Sequence, residues 1–311
     1  MKILIIGAGV LGSRYAVALQ NVGHDVTIMA RGKRLQDIRE HGIILQSLNT
    51  EKREQAHFQT IEKLQPDDSY DLALVVIRGN QVAALLPTLQ INQRIPHIAF
   101  LGNRIDGADD LLEALGEERV LTGFAGAAGI REEHIVKYLD TEKPTQGVTY
   151  LGAPGPGQQE TLQKIKAAFQ ESVFPVQIIQ RMDAWHKHHL ALVIPLALGI
   201  YAAGGSNYTL AENEEILRLM VRAIREGFRA FQKLGYPLTP TKFHLYTLMP
   251  EKLLVKLVRK LMATRGAEIG VAGHANAAKD EMGHFADRLV DYYHRSNSPT
   301  PAFDQLYTYR P

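Results

Sequence analysis

A glycine-rich turn near the start of the chain constrains its fold more than any other feature. The short apolar run Lys2–Ile6 predicts a strand, and residues 7–12 follow it at once with the spacing G-x-G-x-x-G. Residues 13–22 can form a helix, and Asp25–Met29 predicts a second strand. A strand, a glycine turn, a helix and a second strand in this order predict a βαβ unit at the N-terminus.

The turn has the chemistry of a dinucleotide site. Gly7 permits a tight turn, Gly9 lets a pyrophosphate approach the backbone, and Gly12 lets the helix pack closely on the strand. The first helical turn, which includes Val10 and Leu11, offers free N–H groups and the positive end of the helix dipole to phosphates. We therefore expect these five residues to bind the cofactor.

The end of the second strand indicates which dinucleotide is bound. An NAD-binding chain places Asp or Glu there for the ribose 2′-OH, whereas residues 29–34 here read Met-Ala-Arg-Gly-Lys-Arg. Arg31, with Lys33 or Arg34, can neutralise and bind a 2′-phosphate, which a carboxylate would repel. The sequence therefore predicts NADP(H).

The pattern of apolar residues changes near residue 180. Before it, short β-rich runs alternate with helical stretches; after it, apolar residues recur with a period near 3.6. We expect an α/β Rossmann-type doubly wound parallel sheet over residues 1–180, followed by an all-α domain over residues 181–311. The further strands are expected at 72–77, 97–101, 119–123, 147–151 and 175–179. The clearest helical face carries Leu217, Met220, Ile224, Phe228, Phe231 and Leu234.

Composition excludes several function classes. Lys and Arg number 35 against 33 Asp and Glu, so there is no strong basic field to suggest nucleic acid. Cysteine is absent, which excludes disulfides and thiolate catalysis and favours a cytoplasmic location. The apolar stretch 190–203 contains Pro195 and Gly199 and is shorter than the roughly 20 residues of a bilayer span. We expect a buried helix there and no membrane partner.

Three motifs together resemble one known family. They are Lys-Ile-Leu-Ile-Ile-Gly-Ala-Gly-Val-Leu-Gly at residues 2–12, Ala-Arg-Gly-Lys-Arg at 30–34 and Thr-Pro-Ala-Phe-Asp-Gln-Leu-Tyr at 300–307. Over nearly its whole length the chain resembles the ketopantoate reductases (2-dehydropantoate 2-reductases). The resemblance implies a Rossmann domain followed by a helical domain that carries substrate and dimer contacts. In that family NADPH reduces a 2-oxo acid in the cleft between the domains.

The resemblance also implies site residues. The family's asparagine near nicotinamide and substrate matches Asn103, its catalytic lysine Lys187, and its substrate-binding glutamate Glu268. Arg78 matches a basic residue after the third core strand. Lys187 would donate a proton to the keto oxygen, and Glu268 would hold a substrate hydroxyl or ammonium. Asn103 would donate to the keto oxygen or orient the cofactor amide.

Two departures leave the substrate open. Ala191 stands where the family has an asparagine one helical turn after the lysine, and Lys256 roughly where it has a serine. Both lost groups would have hydrogen-bonded the substrate. Reduction of ketopantoate or a related small 2-oxo acid is expected. The alternatives are an NADP(H)-binding regulator or sensor without turnover, and an opine-type dehydrogenase acting on a larger substrate.

Histidines and glycines of the second half have simpler interpretations. His186, His188, His189, His274 and His284 do not form a compact ligand pattern, since only His186 and His189 share a helical face, so no metal is expected. Residues 270–273, Gly-Val-Ala-Gly, interrupt helical sequence and predict a break or a close packing contact.

Overall fold

The computed structural model describes residues 1–50, 52–140 and 147–311. The chain divides into two compact units, Met1–Met182 and Asp183–Pro311. The first unit is an α/β structure and the second is helical, which confirms the fold class expected from the sequence.

The first unit contains twelve strands and five α-helices among its described residues. The strands are β1 Lys2–Ile6, β2 Asp25–Met29, β3 Ile43–Ser47, β4 Arg53–Ala56, β5 Gln59–Ile61, β6 Leu72–Val75, β7 Ile98–Leu101, β8 Val120–Ala125, β9 Ile130–Glu132, β10 Ile135–Tyr138, β11 Thr149–Gly152 and β12 Val176–Ile178. The helices are α1 Val10–Asn21, α2 Gly32–His41, α3 Val82–Ile91, α4 Asp109–Leu115 and α5 Gln159–Phe169, with a 3₁₀ turn at Gly79–Gln81. All seven strands expected from the sequence are present, with ends shifted by at most two residues.

The main sheet has the strand order β12-β11-β8-β7-β6-β1-β2-β5. Strand β1 lies between β2 and β6 and is parallel to both, with Ile6 opposite Met29 and Val75. Ile3, Leu4 and Ile5 are fully buried, as expected for a strand covered on both faces. The chain runs outward from β1 to β2 and then returns to β6, so the order reverses beside β1. In such sheets ligands bind at the carboxyl ends of the strands next to this reversal.

The first unit differs from a simple parallel sheet in two ways. Strand β11 is antiparallel to β8, whereas the other pairs of the main sheet are parallel. A second sheet, of order β4-β3-β10-β9, packs against α1 and was not expected from the sequence. Its edge strands are short and polar, reading Arg-Glu-Gln-Ala in β4 and Ile-Arg-Glu in β9. Such segments do not show the apolar run of a buried strand.

The second unit is built from nine α-helices among its described residues. Its helices are α6 Met182–Ala202, α7 Asn207–Glu212, α8 Glu214–Lys233, α9 Phe243–Leu248, α10 Glu251–Met262, α11 Arg265–Ala267, α12 Gly273–Ala277, α13 Lys279–Ser296 and α14 Pro301–Tyr307. Asn213 caps α8 by accepting a hydrogen bond from the Ile216 N–H at 3.1 Å. The face predicted on α8 is buried from Leu217 to Phe231, and Gly235 follows the end of the helix.

Two helical features follow the sequence closely. Residues 190–203 fall mainly within α6, a buried helix that continues through Pro195. No helix in the described part of the chain is long and apolar enough to cross a membrane. The interruption expected at residues 270–273 is a π-helical turn, Glu268–Ala272, between α11 and α12. Single π-turns within helical segments often lie at functional sites.

Candidate functional site

The glycine turn after β1 leaves a space bounded by backbone. Gly7 has φ +106° and donates its N–H to Met29 O at 3.2 Å. A Cβ at Gly7 would lie 2.6 Å from Val76 O, and a Cβ at Gly12 would lie 1.8 Å from Gly7 O, so neither position has room for a side chain. No heavy atom lies within 4 Å of the Cβ position at Gly9. The space at Gly9 is open to a ligand.

The start of α1 has the features of an anion site. The helix begins at Val10 with Gly9 as its N-cap, and no side chain caps it. The Ser13 N–H donates to Gly9 O at 3.0 Å, so the N–H groups of Val10, Leu11 and Gly12 are not used within the helix. No acidic residue occupies this first turn. Unused N–H groups and the helix dipole together favour a phosphate here.

The edge beyond β2 carries cations. Arg31 is exposed and is the N-cap of α2, whose first turn contains no acid. Lys33 is exposed and pairs with Asp37 at 2.8 Å. That hydrogen bond raises the pKa of Lys33 and lowers the pKa of Asp37. A 2′-phosphate at this edge would meet two accessible cationic side chains.

Arg34, the third cation of this segment, is half-buried and turned towards the glycine turn. It donates from Nε to Ala8 O at 2.8 Å and from Nη2 to Ser13 Oγ at 2.9 Å. Burial lowers its pKa to about 10, so the guanidinium keeps its charge at neutral pH. Its donors are therefore used within the protein, by a backbone carbonyl and a side-chain hydroxyl.

Asn103 supplies a buried acceptor at the same sheet edge. It follows β7 through Gly102 and is 8% exposed. Its Oδ1 is buried and accepts no hydrogen bond from any residue in the described ranges. Buried polar atoms normally have a partner, so this oxygen fits a ligand's donor such as a carboxamide N–H. Arg78 lies beyond β6, exposed at the start of the 3₁₀ turn.

These residues fit a dinucleotide. The open space at Gly9, the unused N–H groups of α1 and the buried oxygen of Asn103 lie at the carboxyl ends of β1 and β7, two parallel strands of the main sheet. The parallel strands β1, β2, β6 and β7 are the ones that carry the predicted cofactor residues.

Lys187 lies in α6 of the helical unit and is 2% exposed. Its Nζ is 4.4 Å from the ring centroid of Tyr236 and 5.4 Å from that of Tyr292. Ring faces attract an ammonium group and so hold this one in place. Ala191, one turn further along α6, is fully buried, and a Cβ at Gly227 would lie 2.9 Å from its methyl group. The position where the family has an amide is therefore apolar and packed here.

Glu268 is the first residue of the π-helical turn. Its carboxylate accepts a hydrogen bond from the Tyr208 hydroxyl at 2.9 Å and pairs with Arg265 at 2.7 Å. The hydrogen bond from Tyr208, with help from Arg265, lowers the pKa of Glu268. The group is thus ionised at neutral pH. Lys256, at the position of the family's serine, is exposed on α10.

Two histidines of α6, His188 and His189, are uncharged at neutral pH. His188 donates from Nδ1 to Ala184 O at 2.8 Å, and burial lowers its pKa to about 4. His189 stacks on Trp185 with ring centroids 4.6 Å apart, and burial lowers its pKa to about 3. Within residues 1–50, 52–140 and 147–311, no three His, Asp or Glu side chains are grouped to hold a metal ion.

A cavity of about 280 Å³ lies beside the other half of α1. It contains none of the site residues predicted from the sequence. It is lined by Arg14, Val17, Ala18, Asn21, Val22, Leu45, Lys52, Glu54, Tyr138, Glu171, Ser172, Val173 and Phe174.

Sequence reasoning missed the residues that support the predicted ones. Tyr236 and Tyr292 contact Lys187, and Tyr208 binds Glu268. No motif or spacing links these tyrosines to their partners, because the pairs are 49, 105 and 60 residues apart and meet only in the folded unit.

The comparison with protein families places these residues in a known context. The family described as "Ketopantoate reductase PanE/ApbA" matches residues 3–156, which include the glycine turn, the cationic edge and Asn103. The chain belongs to the ketopantoate reductase family. Members of this family are oxidoreductases that act on CH–OH groups.

Relatives of this ketopantoate reductase family member agree with the assignment. A 2-dehydropantoate 2-reductase of Pyrococcus horikoshii is 22% identical over 254 residues, 80% of each chain. The crystal structure of 2-dehydropantoate 2-reductase from Geobacter metallireducens superposes with a TM-score of 0.79 at 16% identity, covering 99% of this chain and 98% of that one. The structure of D-mandelate dehydrogenase with NADH and anilino(oxo)acetate has a TM-score of 0.79 at 17% sequence identity. The match covers 99% of this chain and 96% of that one. At these identities the two structures show a shared fold.

Proposed function

We propose that this family member uses NADPH to reduce a 2-oxo acid to the 2-hydroxy acid. The observation that carries the proposal is the combination of a phosphate-binding turn at Gly7 to Gly12 with an accessible cationic edge at Arg31 and Lys33. Residues 30–34 include no carboxylate that would bind a ribose 2′-OH and repel a 2′-phosphate.

The proposed mechanism assigns a step to each residue. A reduced nicotinamide dinucleotide, held by the turn at Gly9, the first N–H groups of α1 and Asn103, would supply the hydride for the keto carbon. As negative charge develops on the keto oxygen, Lys187 stabilises it and donates the proton that completes the alcohol. Asn103 binds the cofactor amide or the keto oxygen, and Arg78 supports the cofactor. Glu268, held ionised by Tyr208 and Arg265, accepts a hydrogen bond from a substrate donor.

We propose a 2-oxo acid with an apolar substituent in preference to ketopantoate, whose hydroxyl needs a hydrogen-bonding partner. Ala191 is buried and apolar at the position of the family's asparagine. The similar D-mandelate dehydrogenase structure holds anilino(oxo)acetate, whose substituent is aromatic. A site that lacks the polar partner discriminates weakly for that hydroxyl.

A substrate panel tests the proposal. NADPH and NADH oxidation are followed with ketopantoate, 2-oxoisovalerate and phenylglyoxylate, each with and without an added amino acid. We expect turnover when NADPH is supplied with either apolar substrate, 2-oxoisovalerate or phenylglyoxylate, without an added amino acid. Tight NADPH binding without turnover on any substrate would instead indicate the sensor. Turnover only with an amino acid present would indicate an opine-type dehydrogenase.

The role of Lys187 has its own test. The Lys187→Met variant is expected to lower kcat by about 10²- to 10⁴-fold, the usual contribution of a general acid, while the Kd for NADPH stays unchanged. Lys166→Met is the matched control, because Lys166 is exposed on α5. Equal kcat values for the two variants would remove Lys187 from the mechanism.

We also propose that the protein forms a homodimer through α9 and α10. Five leucines on these helices are 46% to 80% exposed. Leu245 and Leu248 lie on α9, and the other three recur every four residues along α10: Leu253, Leu257 and Leu261. Monomers rarely expose so many grouped apolar side chains. A specific interface buries roughly 1,200 Å² or more in total, so residues adjacent to these leucines would also take part in the contact.

A further inference from the structure

Arg34 joins three separate segments of the first unit. From α2 its guanidinium donates to Ala8 O in the glycine turn and to Ser13 Oγ in the first turn of α1, at 2.8 and 2.9 Å. A third hydrogen bond runs to His134 O, between β9 and β10, at 3.1 Å. The planar guanidinium thus links the glycine turn and α1 to α2 and to the β9–β10 connection of the second sheet.

Ser13 extends the same network. Its hydroxyl accepts from Arg34 and donates to Ala8 O at 3.3 Å, so both groups converge on the carbonyl that precedes Gly9. The position of Ala8 sets where Gly9 and the first N–H groups of α1 stand. A shift of the turn by a fraction of an ångström would change every backbone contact to a pyrophosphate.

Arg31 differs from Arg34 in accessibility. Arg31 is exposed at the N-cap of α2, whereas Arg34 is half-buried and uses Nε, Nη1 and Nη2 for hydrogen bonds within the protein. A phosphate ligand would compete with these three acceptors for the guanidinium. The two arginines of one segment therefore have different partners.

We propose that Arg34 is a positioning residue that holds the glycine turn for the pyrophosphate, and that it does not read the 2′-phosphate. The proposal rests on the proposed nucleotide-binding function. Arg34 then supports NADH and NADPH equally, and discrimination between them belongs to Arg31 and Lys33.

Nucleotide titration of variants tests this inference. Dissociation constants for NADPH and NADH are measured with Arg34→Ala, Arg34→Lys, Ser13→Ala and Arg31→Ala. We expect Arg34→Ala to weaken both nucleotides by at least about tenfold, with their ratio unchanged, because charged hydrogen bonds that place the turn are lost. Arg34→Lys should not restore binding, since one ammonium cannot reach three acceptors. Ser13→Ala should weaken both nucleotides by a smaller factor, and Arg31→Ala should weaken mainly NADPH.

Thermal midpoints of the free variants separate positioning from a merely structural role. A structural role alone would lower the midpoint and leave both Kd values unchanged well below it, which would overturn the inference. A loss confined to NADPH, restored by Arg34→Lys, would also overturn it and assign Arg34 to the 2′-phosphate, leaving the proposed function intact. Wild-type protein that binds neither nucleotide would refute the proposed function and this inference with it.

Discussion

The three glycines of the turn after β1 are not equivalent. Gly12 is required by the fold, because a Cβ there would lie 1.8 Å from Gly7 O. Gly9 has no neighbour within 4 Å of its Cβ position and a φ of −72°, which any residue can adopt. The motif alone does not distinguish a glycine required for packing from one required for a ligand.

Substitution by alanine should separate the two requirements. We expect Gly12→Ala to lower the free energy of unfolding by about 1–3 kcal/mol or more, because backbone must move. Gly9→Ala should leave the thermal midpoint of the free protein unchanged and weaken NADPH binding about tenfold or more, because the methyl group occupies the ligand's space. Calorimetry and nucleotide titration measure the two effects. A Gly9→Ala variant that binds NADPH like wild type would show that the pyrophosphate does not approach there.

At the residue scale the sequence indicated positions better than partners. The glycine turn and the sheet edge after β7 follow from local pattern, and the structure places Asn103 there with a buried oxygen that accepts no hydrogen bond within the described ranges. The bond of Arg34 to His134 spans 100 residues and joins α2 to the connection between β9 and β10. No local rule could have predicted it.

At the element scale, α6 couples folding to pH. His188 is fully buried, and burial lowers its pKa from 6.5 to about 4. The unfolded chain therefore binds this proton more tightly than the folded chain does. The stability contributed by the neutral ring is complete above about pH 6.5 and is lost as the pH falls towards 4. The loss is up to about 1.4 kcal/mol for each pH unit within this window.

Replacement of the ring tests this dependence. We expect His188→Leu to unfold in urea with a smaller loss of stability between pH 7 and pH 5 than wild type, since the leucine carries no proton and packs against Phe228 and Phe231. His57→Leu serves as the control, because His57 is exposed. Identical pH dependence in His188→Leu and wild type would show that the ring titrates normally in the folded protein.

The helices and strands could be predicted where their burial leaves a pattern of apolar residues in the local sequence. The seven apolar strands and α8 follow from runs and periodicity, and the structure contains them. The second sheet was missed because β3 pairs in parallel with β10 across about 90 residues, and its edge strands are polar. Strands β3 and β10 both pack against α1, and the periodicity of the sequence gives no information on such tertiary contacts.

At the scale of the whole molecule, the leucines of α10 should determine the association state. We expect wild-type protein to be a dimer in sedimentation velocity and Leu257→Glu to be a monomer, because a charge cannot be buried unpaired in an apolar interface. Ile91→Glu is the matched control, since Ile91 is similarly exposed but lies on α3. Wild-type protein that stays monomeric at its highest soluble concentration would refute the interface.

The protein contains one tryptophan, Trp185, which is buried in the helical unit and stacked on His189 two residues beyond Lys187. Its emission on denaturation therefore follows a residue of the helical unit, whereas far-ultraviolet circular dichroism sums both units. Superimposable denaturation curves from the two optical methods would identify one cooperative transition, and separated curves would resolve the stability of each half without any labelling.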